Sequence, residues 1–526
     1  MTELIHQLIE QQADCTPNSA ALIYKDTTFT YSELSSHISA AATGFISLGL
    51  NSSERVAIYL PKLPETIFSI FGAAKSGGVF VPINPLLKPN QVSYILQDCN
   101  VRILITSSER LKLLSSILAN CHDLRAVVLI DNKKEPIEGL HAIEVLNWDQ
   151  LIGNSSHHKP HQRIDNDMAA ILYTSGSTGH PKGVVLSHRN MVTGAKSVIQ
   201  YLQNQPEDKL LAVLPLSFDY GLSQLTTAFS AGASVVLMDY LLPQDVIRAV
   251  AHHQITGLAA VPPLWTQLAQ LEWPPEAVES LRYITNSGGV MPQTAIAHLR
   301  TSLPKTKVFL MYGLTEAFRS TYLPPEQLDI RPDSMGKAIP NVDVQIVRED
   351  GTNCGSGEPG ELVHRGSLVA MGYWDDPAKT SEHFKPAPGQ NKALSIPEIA
   401  VWSGDTVKMD EEGYFYFIGR KDDMIKTSGY RISPTEIEEV IYFSKLVSEV
   451  VALGIPHPTL GQGILIIASP HTSCKFDAEA IINHCKKELP NFMVPLAVKK
   501  HYGIPRNPNG KIDRKLLSSE YQDIFS

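Results

Sequence analysis

The stretch ILYTSGSTGHPKGVVLSHRN, residues 171–190, sets apolar residues on both sides of a turn built from Thr, Ser, Gly, Pro and one lysine. Ala169–Tyr173 reads as the buried end of a strand, and Val184–Leu186 is apolar again. Between them, three glycines and Pro181 exclude regular structure over Thr174–Gly183. A strand is therefore expected to enter a short, donor-rich loop and then resume. Small residues let a backbone approach an anion closely, and Ser175, Ser177, Thr178 and Lys182 add hydroxyls and one charge, which suits a phosphate cradle. A flexible surface loop has the same composition, so the stretch alone leaves both readings open. It is not the common P-loop, because Gly183 follows Lys182 and the spacing G-x-x-x-x-G-K-[ST] is absent.

The rest of the chain narrows the choice. Its 526 residues exceed one core, and units of about 150 residues predict three or four of them. With 43% hydrophobic and 19% charged residues, the composition is that of a soluble globular protein. Lys and Arg number 45 against 54 Asp and Glu, a formal charge of −9, which predicts no nucleic-acid partner and no affinity for an anionic membrane. An anionic substrate would need local positive charge. The six cysteines (Cys15, Cys99, Cys121, Cys354, Cys474, Cys485) lack C-x-x-C spacing, which argues against zinc and for reduced thiols in a cytoplasmic protein. The start, MTELIHQLIEQQADCTPNSA, lacks the basic head and apolar stretch of a signal peptide, and YQDIFS at the end carries no targeting signal. No apolar run approaches the ~20 residues of a membrane span.

Apolar strands (RVAIYL, GVFVPIN, VRILIT, AVVLID, LLAVLP, SVVLMD) alternate with helical stretches such as PETIFSIFGAAKSG, the pattern of parallel α/β sheets covered on both faces. No period of 20–50 residues repeats. AALIYKDTTFTYSEL predicts two short strands about Lys25-Asp26 and a helix entered through a capping box, Thr30 to Glu33. After about residue 340 the texture turns to strands and Gly/Pro turns. A charged joint then leads to a helix capped near Ser433-Pro434 and to a compact α+β module. The expected architecture is α/β: an N-terminal domain over 1–421 made of layered subdomains, the last β-rich at about 340–420, and a C-terminal domain over 422–526 with the linker near Asp422.

Four further stretches accompany the opening loop: MYGLTEA (311–317), WSGDT (402–406), GRKDDMIKTSGYR (419–431) and PRNPNGKIDRK (505–515). Together with TSGSTGHPKG they resemble, in order and over essentially the whole chain, the signature motifs of the adenylate-forming superfamily. That superfamily comprises acyl-CoA synthetases, the adenylation domains of nonribosomal peptide synthetases and beetle luciferases. The chain is most similar to bacterial stand-alone AMP-forming acyl-CoA ligases, including exosortase-associated ones that carry YGLTEAFRS-like stretches.

The resemblance implies a ligase that uses ATP and Mg²⁺. A carboxylate attacks the α-phosphate to give an acyl-adenylate and pyrophosphate; a thiol of coenzyme A, or of a carrier protein's phosphopantetheine acting in trans, then forms the thioester. Two anions must meet, so the site must neutralise charge. By resemblance, Thr174, Ser175, Thr178 and Lys182 hold the β- and γ-phosphates, with Gly176, Ser177 and Gly179 shaping the turn. Tyr312 stacks on adenine beside Gly313, and the backbone of NSGG (286–289), with Gly288 and Gly289, lines it. Thr315 bonds the α-phosphate, Glu316 holds Mg²⁺, Asp405 accepts both ribose hydroxyls, and Arg420 reaches the ribose or a phosphate. Lys511 contacts the reacting carboxylate and the α-phosphate oxygens. Asp422 matches a hinge about which a mobile C-terminal domain swings, withdrawing Lys511 and bringing the Gly429 region up to line a thiol tunnel.

The acid is less legible. LPLSFDYGLSQL (214–225) matches the pocket-floor motif, where Asp219 falls on the ammonium-binding aspartate of amino-acid-activating domains. Because a buried carboxylate needs a partner, either a substrate ammonium or Arg319 would serve. Alternatively, Arg319 binds a second carboxylate while Asp219 takes an amine. Tyr220, Ser223, Ser287 and Met311 complete the expected pocket wall. CoA ligation is the first reading and carrier-protein loading the alternative; luciferase-like oxygenation and mere nucleotide binding are the competitors.

Overall fold

Two largely parallel sheets carry most of the chain, and each grows from the apolar runs noted above. The computed structural model describes all residues except 1, 132–142, 154–158, 175–180, 392, 394, 421–422, 428–429, 458–459, 472–475, 490, 508–509 and 526. Among the described residues, one sheet has seven strands in the order Glu144–Asn147, Ala126–Leu129, Val101–Thr106, Arg55–Ile58, Val79–Pro82, Met168–Thr174 and Lys182–Ser187. Only the last pair is antiparallel, with Thr174 opposite Lys182. The strand entering the opening loop therefore reverses direction rather than resuming along its line, which places Lys182 at the loop's exit beside Thr174.

The other sheet has nine strands among the described residues, in the order Lys337–Ala338, Thr321–Leu323, Lys307–Tyr312, Tyr283–Asn286, Gly257–Ala260, Lys209–Ala212, Ser234–Leu237, Ala20–Tyr24 and Thr27–Thr30. Its six central strands are parallel, and their continuous Val/Leu/Ile/Ala character follows from burial on both faces. The helices Tyr31–Ser47 and Pro64–Ser76 pack on each other within one apolar core that takes in residues of both sheets, such as Phe80 and Leu172 of one and Val235 and Leu258 of the other. The first helix starts at the expected capping box, Thr30 with Glu33. The second starts on Pro64 and stops at Gly77, whose φ of +88° suits a residue without a Cβ.

Beyond residue 340 the strands Val342–Val347, Gly360–Gly366, Phe384–Pro386, Ile399–Met409 and Phe415–Arg420 form a smaller antiparallel sheet. The strands Ile425–Thr427, Tyr430–Ile432, Glu449–His457, Gly461–Ser469 and Ala497–Lys500 form the last, with helices Pro434–Phe443 and Ala478–Glu488 against one face and Arg514–Glu520 against the other. Ser433 precedes the first of these helices but does not cap it. Its hydroxyl donates instead to the carbonyl of Ile418, which ties the smaller domain to the strand before the joint.

Three buried histidines are expected to make the fold sensitive to acid. His6 and His188 meet edge-on, and His188 Nδ1 accepts from the Ile5 amide at 3.2 Å, which requires that nitrogen to be unprotonated. Burial holds their pKa values down to about 4 and about 3, and burial alone holds His364 at about 3. Below pH 6.5 the unfolded chain takes up protons that the folded one refuses, so stability falls as pH drops. Three such rings give a slope of about 3–4 kcal/mol per pH unit around pH 5, smaller toward pH 6 and pH 4. The melting temperature is expected to fall steeply between pH 7 and pH 5; a flat profile would show that the rings are protonated in place.

Candidate active site

The central parallel strands of the nine-stranded sheet finish on one edge, and this edge carries most of the expected site. Lys307–Tyr312 ends in Tyr312, followed by Gly313 and the short 3₁₀ turn Thr315–Ala317 that holds Glu316. Tyr283–Asn286 leads into Ser287, Gly288 and Gly289, and beyond Lys209–Ala212 the helix Asp219–Ala231 begins with Asp219 in its first turn. Sites at the carboxyl ends of parallel strands are the rule for such sheets, because there the loops splay apart.

On the acyl side, Asp219 is only 5% exposed and accepts from Thr315 Oγ1 at 3.2 Å. Burial raises its pKa, opposed by the positive charges of Arg319 and Lys511. The Tyr220 hydroxyl meets Thr285 Oγ1, and Ser223 lies one turn along the same helix. Gly313 lets the following segment fold back: a Cβ there would stand 2.8 Å from the Phe318 carbonyl oxygen and 3.0 Å from Arg319 Cα. Phe318 has φ +55° and ψ −69°, and the Arg319 amide donates to the Ala317 carbonyl at 2.6 Å, a strained γ-turn. That turn sends the Arg319 side chain into the interior, where its nitrogens donate to Ser287 Oγ at 3.1 Å and Ser223 Oγ at 3.4 Å, over the ring of Tyr220. Met311 accepts from the Tyr201 hydroxyl at 3.0 Å on the same wall.

On the nucleotide side, the β-rich sheet places Asp405 directly opposite Arg420, and Arg420 Nε donates to Asp405 Oδ1 at 2.9 Å. The Tyr312 hydroxyl donates to the other carboxylate oxygen. Burial raises the Asp405 pKa and the adjacent guanidinium restrains the rise, while Asp405 raises that of Arg420. Asn286 Nδ2 donates to the Gly289 carbonyl at 3.0 Å, but its Oδ1 is buried without a donor among the described residues, next to the segment expected to line adenine.

Lys182 lies over the ring of Tyr373, 5.6 Å from its centroid, and the Tyr373 hydroxyl donates to Glu316 Oε1 at 2.7 Å. Burial lowers the Lys182 pKa, with Lys379 adding to the effect. Sequence reasoning missed Tyr373. It arrives because residues 371–374 run along the strand Lys182–Ser187, bonded through Val185 N to Gly372 O and Trp374 N to Gly183 O. No sequence spacing announces this contact, since Tyr373 and Glu316 are 57 residues apart. Tyr201, Thr285 and Asn286 were missed as individual participants for the same reason.

Lys511 follows a tight turn in which Asn507 N donates to Lys511 O at 2.7 Å, Lys511 N donates to Asn507 Oδ1 at 3.0 Å, and Gly510 has φ +77°. The residue keeps solvent access, yet its ammonium sits among groups of the larger domain. Surrounding protein lowers its pKa, Arg420 adds to this, and Asp219, Asp405 and Glu316 oppose it. The smaller domain thus brings the Lys511 ammonium within electrostatic reach of both Asp219 and Asp405. Of the remaining expected residues, Ser175, Gly176, Ser177, Thr178, Gly179, Asp422 and Gly429 lie outside the described residues.

Glu316, whose charge is felt by Lys182, Arg420 and Lys511, stands in a setting that suits a nucleoside triphosphate and its cation. Among the described residues no cluster of three or more His, Cys, Asp or Glu is arranged to hold a metal ion. Mg²⁺ does not need one, since it takes one or two carboxylates plus phosphate oxygens and water, and Glu316 is a carboxylate of the kind it takes.

This arrangement has known counterparts. Residues 9–374 match the AMP-binding enzyme family and residues 436–511 the AMP-binding enzyme C-terminal domain, so the chain belongs to the AMP-binding enzyme family. Gramicidin S synthase 2 of Aneurinibacillus migulanus is 30% identical over 521 residues, covering 98% of this chain but 11% of that protein; the chain thus spans a small part of that relative's length. A long-chain-fatty-acid–CoA ligase of Escherichia coli O157:H7 is 26% identical over 501 residues, 90% of this chain and 86% of that one. The O-succinylbenzoate coenzyme A synthetase (MenE) of Bacillus subtilis, in complex with ATP and a magnesium ion, superposes with a TM-score of 0.81 at 25% identity, over 97% of this chain and 98% of that one. No described helix is long and apolar enough to cross a membrane.

Proposed function

We propose that this protein activates a carboxylic acid with ATP, forming an acyl-adenylate and pyrophosphate, and then transfers the acyl group to the thiol of coenzyme A. The observation that carries the reading is the cluster at one sheet edge, in which Asp405 binds Arg420 and Tyr312 while Tyr373 joins Glu316 to Lys182, with the Lys511 ammonium close enough to feel the charges of Asp219, Glu316 and Asp405. In the first half-reaction a carboxylate oxygen bonds to the α-phosphorus and the bond to the bridging oxygen of pyrophosphate breaks. Lys511 holds the attacking carboxylate and the α-phosphate together and offsets the charge that builds between them. Asp405 fixes the ribose, Tyr312 and the 286–289 segment hold the base, and the unpartnered Asn286 Oδ1 suits the exocyclic amine of adenine. Lys182 neutralises the outer phosphates, and Glu316 would hold Mg²⁺, which when bound offsets phosphate charge. Tyr373 keeps Glu316 oriented toward Lys182 through its hydrogen bond.

The test is acid-dependent exchange of labelled pyrophosphate into ATP over fatty, aromatic and amino acids, followed by addition of CoA. Exchange that no acid supports would defeat the reading. A second acceptor is favoured by Asp219, a buried carboxylate whose side chain accepts only from a threonine hydroxyl among the described residues. A substrate ammonium would complete it, and amino acids activated this way are loaded onto carrier-protein phosphopantetheine. Comparing CoA with a phosphopantetheinylated carrier as acceptor separates the two.

The thiol step requires Lys511 to leave and the Gly429 region to approach, by rotation about Asp422 between domains 1–421 and 422–526. Asp422→Pro, which restricts φ, is expected to slow the two half-reactions unequally. Equal rates relative to wild type in both would count against a hinge there.

A further inference from the structure

We infer that the activated acid carries a second anionic group, and that Arg319 is the residue that binds it. This rests on the activation reading above and names its substrate class. Arg319 is 2% exposed, one of the largest fully buried side chains in the protein. Among the described residues no carboxylate lies within 4.0 Å of its guanidinium nitrogens. Of five N–H groups, two are directed at the hydroxyls of Ser287 and Ser223, and Nε is buried with no acceptor among the described residues.

The surroundings are aromatic faces and hydroxyls. Tyr220 stacks at 4.6 Å and Phe318 at 5.6 Å, and the Tyr201 hydroxyl lies close enough for the guanidinium to oppose the rise that burial gives its pKa. A buried cation whose direct hydrogen-bond partners are hydroxyls, with Asp219 reaching it only through its charge from beyond ion-pair distance, is costly, whereas a planar fork of donors matches a carboxylate. Asp219 is the nearest internal candidate, but the two do not form an ion pair: each binds hydroxyls instead, Asp219 that of Thr315 and Arg319 those of Ser223 and Ser287. The γ-turn at Phe318 holds Arg319 in this position at a conformational cost that a surface arginine would not need. With Lys511 engaging the reacting carboxylate, Arg319 is left for the far end of the acid.

The experiment compares matched acids in pyrophosphate exchange with the wild-type protein: succinate against succinamate, glutarate against glutaramate, L-glutamate against L-glutamine, and phthalate against phthalamate. Each amide is nearly isosteric but lacks the second charge. At least one diacid is expected to exceed its amide in kcat/KM by on the order of 10²–10³-fold, the cost of leaving a buried cation unpaired. Arg319→Met should collapse that ratio to within a few-fold, while Arg319→Lys, which keeps the charge but not the fork, should retain part of it. A purely structural arginine would lower both members of a pair equally and leave the ratio intact. Vigorous exchange with uncharged-tail acids and none of the diacids favoured would overturn this inference while sparing the activation reading. Exchange with no acid at all would overturn both.

Discussion

Replacing Lys511 by alanine is expected to slow acyl-adenylate formation by roughly 10²–10³-fold, the usual loss when one placed donor is removed from a developing charge. The residue is exposed at the end of a surface turn, so its removal should leave the melting temperature within about 1 °C of wild type. The second half-reaction, started from a supplied acyl-adenylate and thiol, should stay within a few-fold, because Lys511 has left the site by then in the proposed cycle. Neutralising the lysine also removes the attraction that opposes the burial-driven rise in the pKa values of Asp219 and Asp405. Full-speed pyrophosphate exchange in the variant would sink the proposed role.

Asp405→Ala is expected to weaken ATP binding far more than it weakens the fold. The Asp405 side chain is 9% exposed, but that of its partner Arg420 is 58% exposed. Loss of the carboxylate therefore leaves no buried, unpaired cation, and the large penalty of breaking a buried pair does not apply. Two hydrogen bonds from ribose hydroxyls to a charged acceptor are worth about 1.5–3 kcal/mol each, so the ATP KM should rise by on the order of 10²–10⁴-fold. Kinetics at saturating acid together with a thermal melt would check this. A large drop in melting temperature with an unchanged KM would mean that Asp405 serves the sheet rather than the nucleotide.

The motif residues and the strands are legible in the sequence because both depend on local rules. Thr30 and Glu33 cap a helix, Gly77 ends one, and apolar runs such as VRILIT form doubly covered strands. MYGLTEA, WSGDT and GRKDDMIKTSGYR can be assigned to one site from order alone, and Tyr312 and Arg420 both bond Asp405. Ser433 has the sequence context of a helix cap, but a carbonyl brought in from the strand Phe415–Arg420 competes for its hydroxyl. Tyr373 is not legible, since its contact with Glu316 needs two distant segments to lie side by side.

By itself the sequence determined the alternation of strands and helices, the glycine-rich turn and its lysine, and the family's ordered motifs. These reside in backbone preference, side-chain period and spacing, which neighbours in the chain set. Only the tertiary structure decided that Asp219 and Arg319 stand in one pocket without pairing, that Tyr373 links Glu316 to the base of the opening loop, and that Lys511 comes within electrostatic reach of Asp219 and Asp405. Whether two buried charges neutralise each other depends on ångström-scale placement of elements about a hundred residues apart, and no local rule encodes that distance.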